Sequence, residues 1–182
     1  TPVWQNPLKL GADLVTYSAT KHMDGQGRAL GGVILGSKEL LQGDIYTIIR
    51  QTGPSMSPFN AWVLLKGLET IIPRVKTMTD SASRIAEFLA NHPKIEMMRY
   101  PHHPNHPQYD LAKRQMSGGS TLVAFTVKGG KDAAFKVADS LAITAISNNL
   151  GDAKSIISHP ATTTHQRFSP EDKAEMGITN GL

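Results

Sequence analysis

The chain has 182 residues, 40% of them hydrophobic and 19% charged, with a formal net charge of +4 and no cysteine. That composition suits an ordinary globular fold with one sizeable core or parts of two, and it excludes disulfides, zinc–thiolate sites and a cysteine nucleophile. Lysines and arginines are scattered without a basic run, arguing against nucleic acid or anionic membrane as partners, and no apolar stretch approaches the roughly 18 residues of a membrane span.

Residues 2–10 read as a loop with an apolar turn around Pro7. Two apolar runs follow, over 13–18 and 30–36, and their β-branched and aromatic content predicts strands. Between them stand Tyr17-Ser18-Ala19-Thr20-Lys21 and a glycine-rich turn, His22-Met23-Asp24-Gly25-Gln26-Gly27-Arg28. Lys21 is therefore expected just past the carboxyl end of the first strand, where open α/β sheets place ligands. An amine in a partly dry site loses its charge readily and forms an imine with an aldehyde. Ser18 and Thr20 add hydroxyls suited to a phosphate. Taken alone, the same pattern fits a solvated lysine, and Gly25 and Gly27 fit a tight turn as well as a close approach of backbone to a ligand.

Ser37 is placed to cap a helix from Lys38 to about Arg50, ending before Thr52-Gly53-Pro54. Ser57-Pro58 opens the next, with serine at the cap and proline in the first turn. Its Phe59, Trp62, Val63, Leu64, Leu65 and Leu68 are too many for one stripe, so wide burial is expected, with Phe59 and Trp62 in the core. Pro73 is expected to break or kink this helix, and a domain boundary is placed near residue 70. Val75, Met78, Ala82, Ile85 and Leu89 then recur at helical spacing up to His92-Pro93.

Strands are expected over 95–100, 121–127 and 143–147, separated by a proline- and histidine-rich loop and by a helix over 131–140, an order that suggests an α+β unit. A last short helix begins at Ser169-Pro170-Glu171-Asp172 and ends at Gly177. His102, His103 and His106 cluster, but Pro101, Pro104 and Pro107 suggest a stiff surface loop without the partners a metal requires, so no metal is expected. Asp152 and His165 mimic parts of a hydrolase triad, yet no Gly-x-Ser-x-Gly elbow accompanies them.

Gly11-Ala12-Asp13-Leu14-Val15, followed by Ser18-Ala19-Thr20-Lys21 and Gly31-Gly32, resembles the cofactor-lysine signature of the pyridoxal-phosphate enzymes of cysteine and methionine metabolism. The resemblance recurs from Ser57-Pro58-Phe59-Asn60-Ala61-Trp62 to Gly67-Leu68-Glu69-Thr70, in His106-Pro107-Gln108 with Met116-Ser117-Gly118-Gly119, and in Leu150-Gly151-Asp152 with His159-Pro160-Ala161 and Thr164-His165. It implies a fold-type I, aspartate aminotransferase-like α/β architecture. Residues 1–70 would be the end of the large cofactor domain and 71–182 most of the small α+β domain. In the family a Thr-Pro like Thr1-Pro2 lies inside the cofactor domain, and an arginine-bearing strand follows beyond the position of Leu182. An internal fragment is therefore expected.

The resemblance also implies roles. Lys21 would hold pyridoxal 5'-phosphate and move protons between the substrate Cα, Cβ and the cofactor, with Ser18 and Thr20 at the phosphate. Asn149 stands where many relatives have the serine of a Ser-Leu-Gly motif that helps hold the substrate carboxylate, with Leu150 beside it and Thr164 as a neighbour. Within the family, this version of the motifs implies γ-replacement of the succinate of O-succinyl-L-homoserine by sulfide. γ-Elimination from methionine and condensation with cysteine remain as alternatives. Implied partners are the amino-acid substrate, sulfide, the upstream half of the same chain, and further copies pairing as dimers of dimers in the cytoplasm. As a separate chain it would be a silent piece needing that upstream half.

Overall fold

The computed structural model of the chain describes residues 2–182, and Thr1 of the Thr1-Pro2 pair lies outside them. The two apolar runs form strands β1 (Leu14–Ser18) and β2 (Gly32–Gly36), an antiparallel pair in which Leu14 faces Gly36 and Ser18 faces Gly32. Ser37 Oγ then accepts from Leu40 N at 3.2 Å and starts α1 (Lys38–Leu40). A π-helical turn (Leu41–Ile45) and α2 (Tyr46–Thr52) continue it. The expected single helix is therefore kinked. Gly43 leaves the helical region at ψ −116°, and Gly53 closes the segment at φ +78°.

Ser57 caps α3 (Pro58–Leu68) through a 3.1 Å bond from Asn60 N. Two expectations fail here. Only Val63, Leu64 and Gly67 of α3 are buried, whereas Phe59 is 68% and Trp62 55% exposed. Apolar residues around the whole circumference can be buried only if something packs on both sides, and among the described residues α3 meets the β1–β2 unit on one side only. Pro73 does not kink the helix either. The break falls at residues 69–70, and α4 (Ile71–Ala90) begins anew with Pro73 in its first turn, where no N–H partner is lost.

Strands β3 (Ile95–Arg99) and β4 (Ala124–Val127) pair antiparallel, with a register shift between Ile95 and Met97. The loop between them contains α5 (Tyr109–Gln115), which the sequence reading did not anticipate. Helix α6 (Gly130–Ser140) precedes β5 (Ala145–Ile146), shorter than expected and paired parallel with an unanticipated β6 (Ile156–Ile157). Ser169 and Asp172 form a reciprocal capping box on α7 (Pro170–Glu175).

Two cores result. One joins Ala19, Met23 and Ala29 of the β1–β2 connection to Val63 and Leu64 of α3. The other packs Ala82 and Ala86 of α4 on Met98 and Tyr100, the strand β3 and the residue after it. The segment before β1 is fixed to α4 and to the residues that follow α5. Trp4 Nε1 donates to Thr79 Oγ1 at 2.7 Å, and Trp4 O accepts from Ser117 N at 2.8 Å.

Candidate active site

After Ser18 the chain makes one helical turn instead of a plain reversal. Ala19 N donates to Gly31 O at 2.8 Å, Lys21 N to Ser18 O at 3.2 Å, Asp24 N to Ala19 O at 2.9 Å and Gly25 N to Lys21 O at 2.8 Å. Gly25 and Gly27, at φ +73° and +66°, then turn the chain back toward β2. Lys21 and Ser18 open onto a cleft of about 340 Å³, whose other walls include Pro101, Met116, Thr121 and Leu150.

His22, also a wall of the cleft, is buried. Its Nε2 shares a 2.8 Å hydrogen bond with Thr121 Oγ1, which joins two walls of the cleft. Burial foremost, with the charge of Arg74 adding to it, lowers the pKa of the imidazole to about 4, so the ring is neutral at neutral pH. Asp24 is also buried. Burial by itself would raise its pKa, but hydrogen bonds from Arg28 and Ala29, together with the Arg28 charge, outweigh that and hold it below the usual carboxylate value.

The expected site residues separate into two groups. Ser18, Lys21 and Leu150 share the cleft. The other three are engaged elsewhere. Thr20 Oγ1 accepts from Gly31 N at 3.1 Å, Asn149 Nδ2 donates to Asp152 Oδ2 at 3.4 Å, and exposed Thr164 Oγ1 lies 2.8 Å from His165 Nδ1. The Asn149 loop nevertheless reaches the lysine turn. Ala153 N donates to Gly25 O at 2.7 Å, and Gly151 lies so close to His22 that an added Cβ would fall 2.7 Å from its backbone nitrogen.

None of the motifs singled out in the sequence gives His22, Asp24 or Arg74 a role. The spacing of Asp24 and Arg28 is the one local signal that could have flagged any of them, since residues four apart in a turn can pair. Among the described residues no group of acidic or histidine side chains is arranged to hold a metal. An amine and a hydroxyl converging at a strand end, on a cleft of this size, fit a small aromatic aldehyde that carries a phosphate.

The family described as Cys/Met metabolism PLP-dependent enzyme matches residues 1–182. The chain belongs to this family. Among members of the Cys/Met family, it is 55% identical to O-succinylhomoserine sulfhydrylase of Mycobacterium tuberculosis (strain ATCC 25618 / H37Rv) and 50% identical to that of Pseudomonas aeruginosa. It is 40% identical to L-methionine gamma-lyase of Pseudomonas putida. Each match covers 100% of this chain but only 46%, 45% and 46% of the relative, so the chain spans a little under half their length.

Among solved structures it resembles cystathionine gamma synthase from Xanthomonas oryzae pv. oryzae in complex with aminoacrylate and cysteine. The TM-score is 0.94 at 33% identity, over 100% of this chain and 47% of that one. The gamma lyase CalE6 from Micromonospora echinospora follows at 0.93 and 31%, with the same coverage. The fold-type I α/β architecture and the pyridoxal-phosphate dependence expected from the motifs are those of this family.

Proposed function

We propose that the protein containing this chain catalyses γ-replacement, converting O-succinyl-L-homoserine and sulfide to homocysteine and succinate. The observation that carries the reading is the convergence of Lys21, Ser18 and Leu150 on one cleft at the end of β1. The greater identity to sulfhydrylases, 55% and 50% against 40% for the methionine gamma-lyase of Pseudomonas putida, favours replacement over elimination.

Bound in the cleft, pyridoxal phosphate would supply an electron sink for negative charge developing on the substrate. Lys21 would hold the cofactor and then carry protons at the substrate carbons, because it lines the cleft and is half-buried. Ser18, from the cleft wall, and Thr20, from just beyond it, would offer hydroxyls to the phosphate. Thr20 accepts from Gly31 N and keeps its own O–H free to donate. Leu150 forms an apolar wall that excludes water, while neutral His22 adds no second positive charge beside the amine. Asn149 and Thr164 are substrate-side residues, Asn149 near the carboxylate. With its side-chain N–H₂ turned to Asp152, the Asn149 loop offers the substrate backbone N–H groups or the remaining amide oxygen.

Residues 1–70 belong to the cofactor domain and 71–182 to the small domain. The active protein includes the upstream half of its relatives' length and works in the cytoplasm as a dimer of dimers. Without that half the chain is inactive. Product analysis of the full-length protein tests the reaction. Homocysteine formed from O-succinylhomoserine and sulfide is expected, cystathionine formed from cysteine would indicate a synthase, and 2-oxobutyrate formed without any nucleophile would overturn replacement in favour of elimination.

A further inference from the structure

We infer that Arg74, in the first turn of α4, is a positioning residue for Lys21: its guanidinium closes the carboxyl end of the lysine turn and joins it to the end of α3. The inference rests on Lys21 being the cofactor lysine.

A helical turn that ends abruptly leaves its last carbonyls without N–H partners. Here the reversal through Gly25 and Gly27 puts the carbonyls of His22 and Met23 in that position. Arg74 Nη1 donates to His22 O at 2.9 Å, and Nη2 donates to Met23 O at 3.3 Å. The same Nη2 donates to Gly67 O, near the end of α3, at 2.8 Å, while Nε is held by Thr70 Oγ1 at 3.0 Å. One planar fork thus satisfies the open ends of two helical segments, a geometry that the compact ammonium of lysine does not reproduce.

Two glycines make the approach possible. A Cβ at Gly25 would run into the Arg74 guanidinium, and one at Gly67 would run into the Met23 carbonyl. Arg74 is not among the walls of the cleft, so it acts on the lysine through the turn and not through the ligand. Strand β3 packs on Ala82 and Ala86 of α4, about two turns or more beyond Arg74, and the β3–β4 pair serves as an internal reference.

The test uses the full-length enzyme, with and without pyridoxal phosphate, carrying Arg74→Lys, Arg74→Gln or Thr70→Val. In the cofactor-free form, amide exchange over residues 18–25 should accelerate about tenfold or more in both Arg74 variants, while exchange in β3 and β4 stays at the wild-type rate. In the loaded form, release of the cofactor should quicken by about tenfold. The pH midpoint of its visible band should move, and kcat should fall at least about tenfold with KM little changed. Thr70→Val, which removes the acceptor of Nε together with the 3.4 Å bond that Thr70 Oγ1 donates to Gly67 O, should move exchange over 18–25 by about two- to threefold in the same direction.

Uniform acceleration throughout the protein, with band and kcat unmoved, would overturn the inference, as would an Arg74→Lys enzyme equal to wild type. If neither Arg74 variant folds, Thr70→Val decides, and wild-type exchange over 18–25 in it counts against the clamp. Borohydride labelling of wild-type holoenzyme separates the two readings: an unlabelled Lys21 sinks the cofactor-lysine assignment, whatever the exchange data say of Arg74.

Discussion

The lysine turn and the Asn149–Thr164 segment were both marked by motif, yet they are built differently. Around Lys21 the backbone is cross-braced. Carbonyls of the turn find donors from Arg74 and from Ala153, and His22 and Asp24 are buried with hydrogen-bond partners. Asn149 and Thr164 instead bond to close neighbours in sequence, Asp152 and His165, from short turns in which Asn149 is half-buried and Thr164 exposed. On the proposed roles, the group that would hold a cofactor through every turnover is fixed by the fold, whereas the residues that would meet a transient substrate are left to local hydrogen bonds. The contrast sets the order of expected effects.

Lys21→Ala should be the most damaging change, lowering kcat of the full-length enzyme by about a thousandfold or more with the fold retained; assay against product formation and circular dichroism checks both halves of the statement. Gly67→Ala comes next. Its new methyl meets the Met23 backbone, which cannot swing aside as a flexible side chain would, so a loss of about 2–4 kcal/mol in urea unfolding is expected.

His22 gives a pH-dependent effect whose sign follows from burial. Its pKa in the fold, about 4, lies below the ordinary 6.5, so the unfolded chain binds the proton more readily. The stability tied to the neutral ring is complete above 6.5 and is lost as pH falls toward 4, by at most about 3 kcal/mol. His22→Phe should flatten unfolding curves compared across that window. Asp24 and Asp152, both with lowered pKa values, act further down, where their contribution disappears as pH falls below the ordinary 3.8.

The smallest effects are expected in the second region. Asn149→Ala should raise KM for the amino-acid substrate by about three- to tenfold, and Thr164→Ala by less than about threefold. Equal damage from Thr164→Ala and Lys21→Ala would erase the contrast between the two regions.

Local signals were legible in the chain. Ser57 and Ser169 mark helix starts because a cap needs only residues three positions on, and both bond as the pattern anticipates. β1 and β2 are declared by their own side chains. Helix α5 was hidden because it spans only Tyr109–Gln115 and follows closely on a run of prolines and histidines. Within this chain, which spans under half the length of its relatives, α3 is not widely buried, because apolar content says what a helix could bury, not what stands against it. Arg74 was illegible for another reason. Its carbonyl partners lie 52, 51 and 7 positions away, and no local pattern encodes that convergence.

The uneven surroundings of the two tryptophans have an optical consequence. Trp4 is anchored by its indole N–H on Thr79, while Trp62 stands at the surface with Phe59 at a ring-centroid distance of 6.0 Å. Emission from Trp62 should therefore be red-shifted and readily quenched by iodide. With Trp4 replaced by phenylalanine, Trp62 is the one tryptophan left in this chain, and its fluorescence becomes a direct gauge of whether the outer side of α3 is wet or covered.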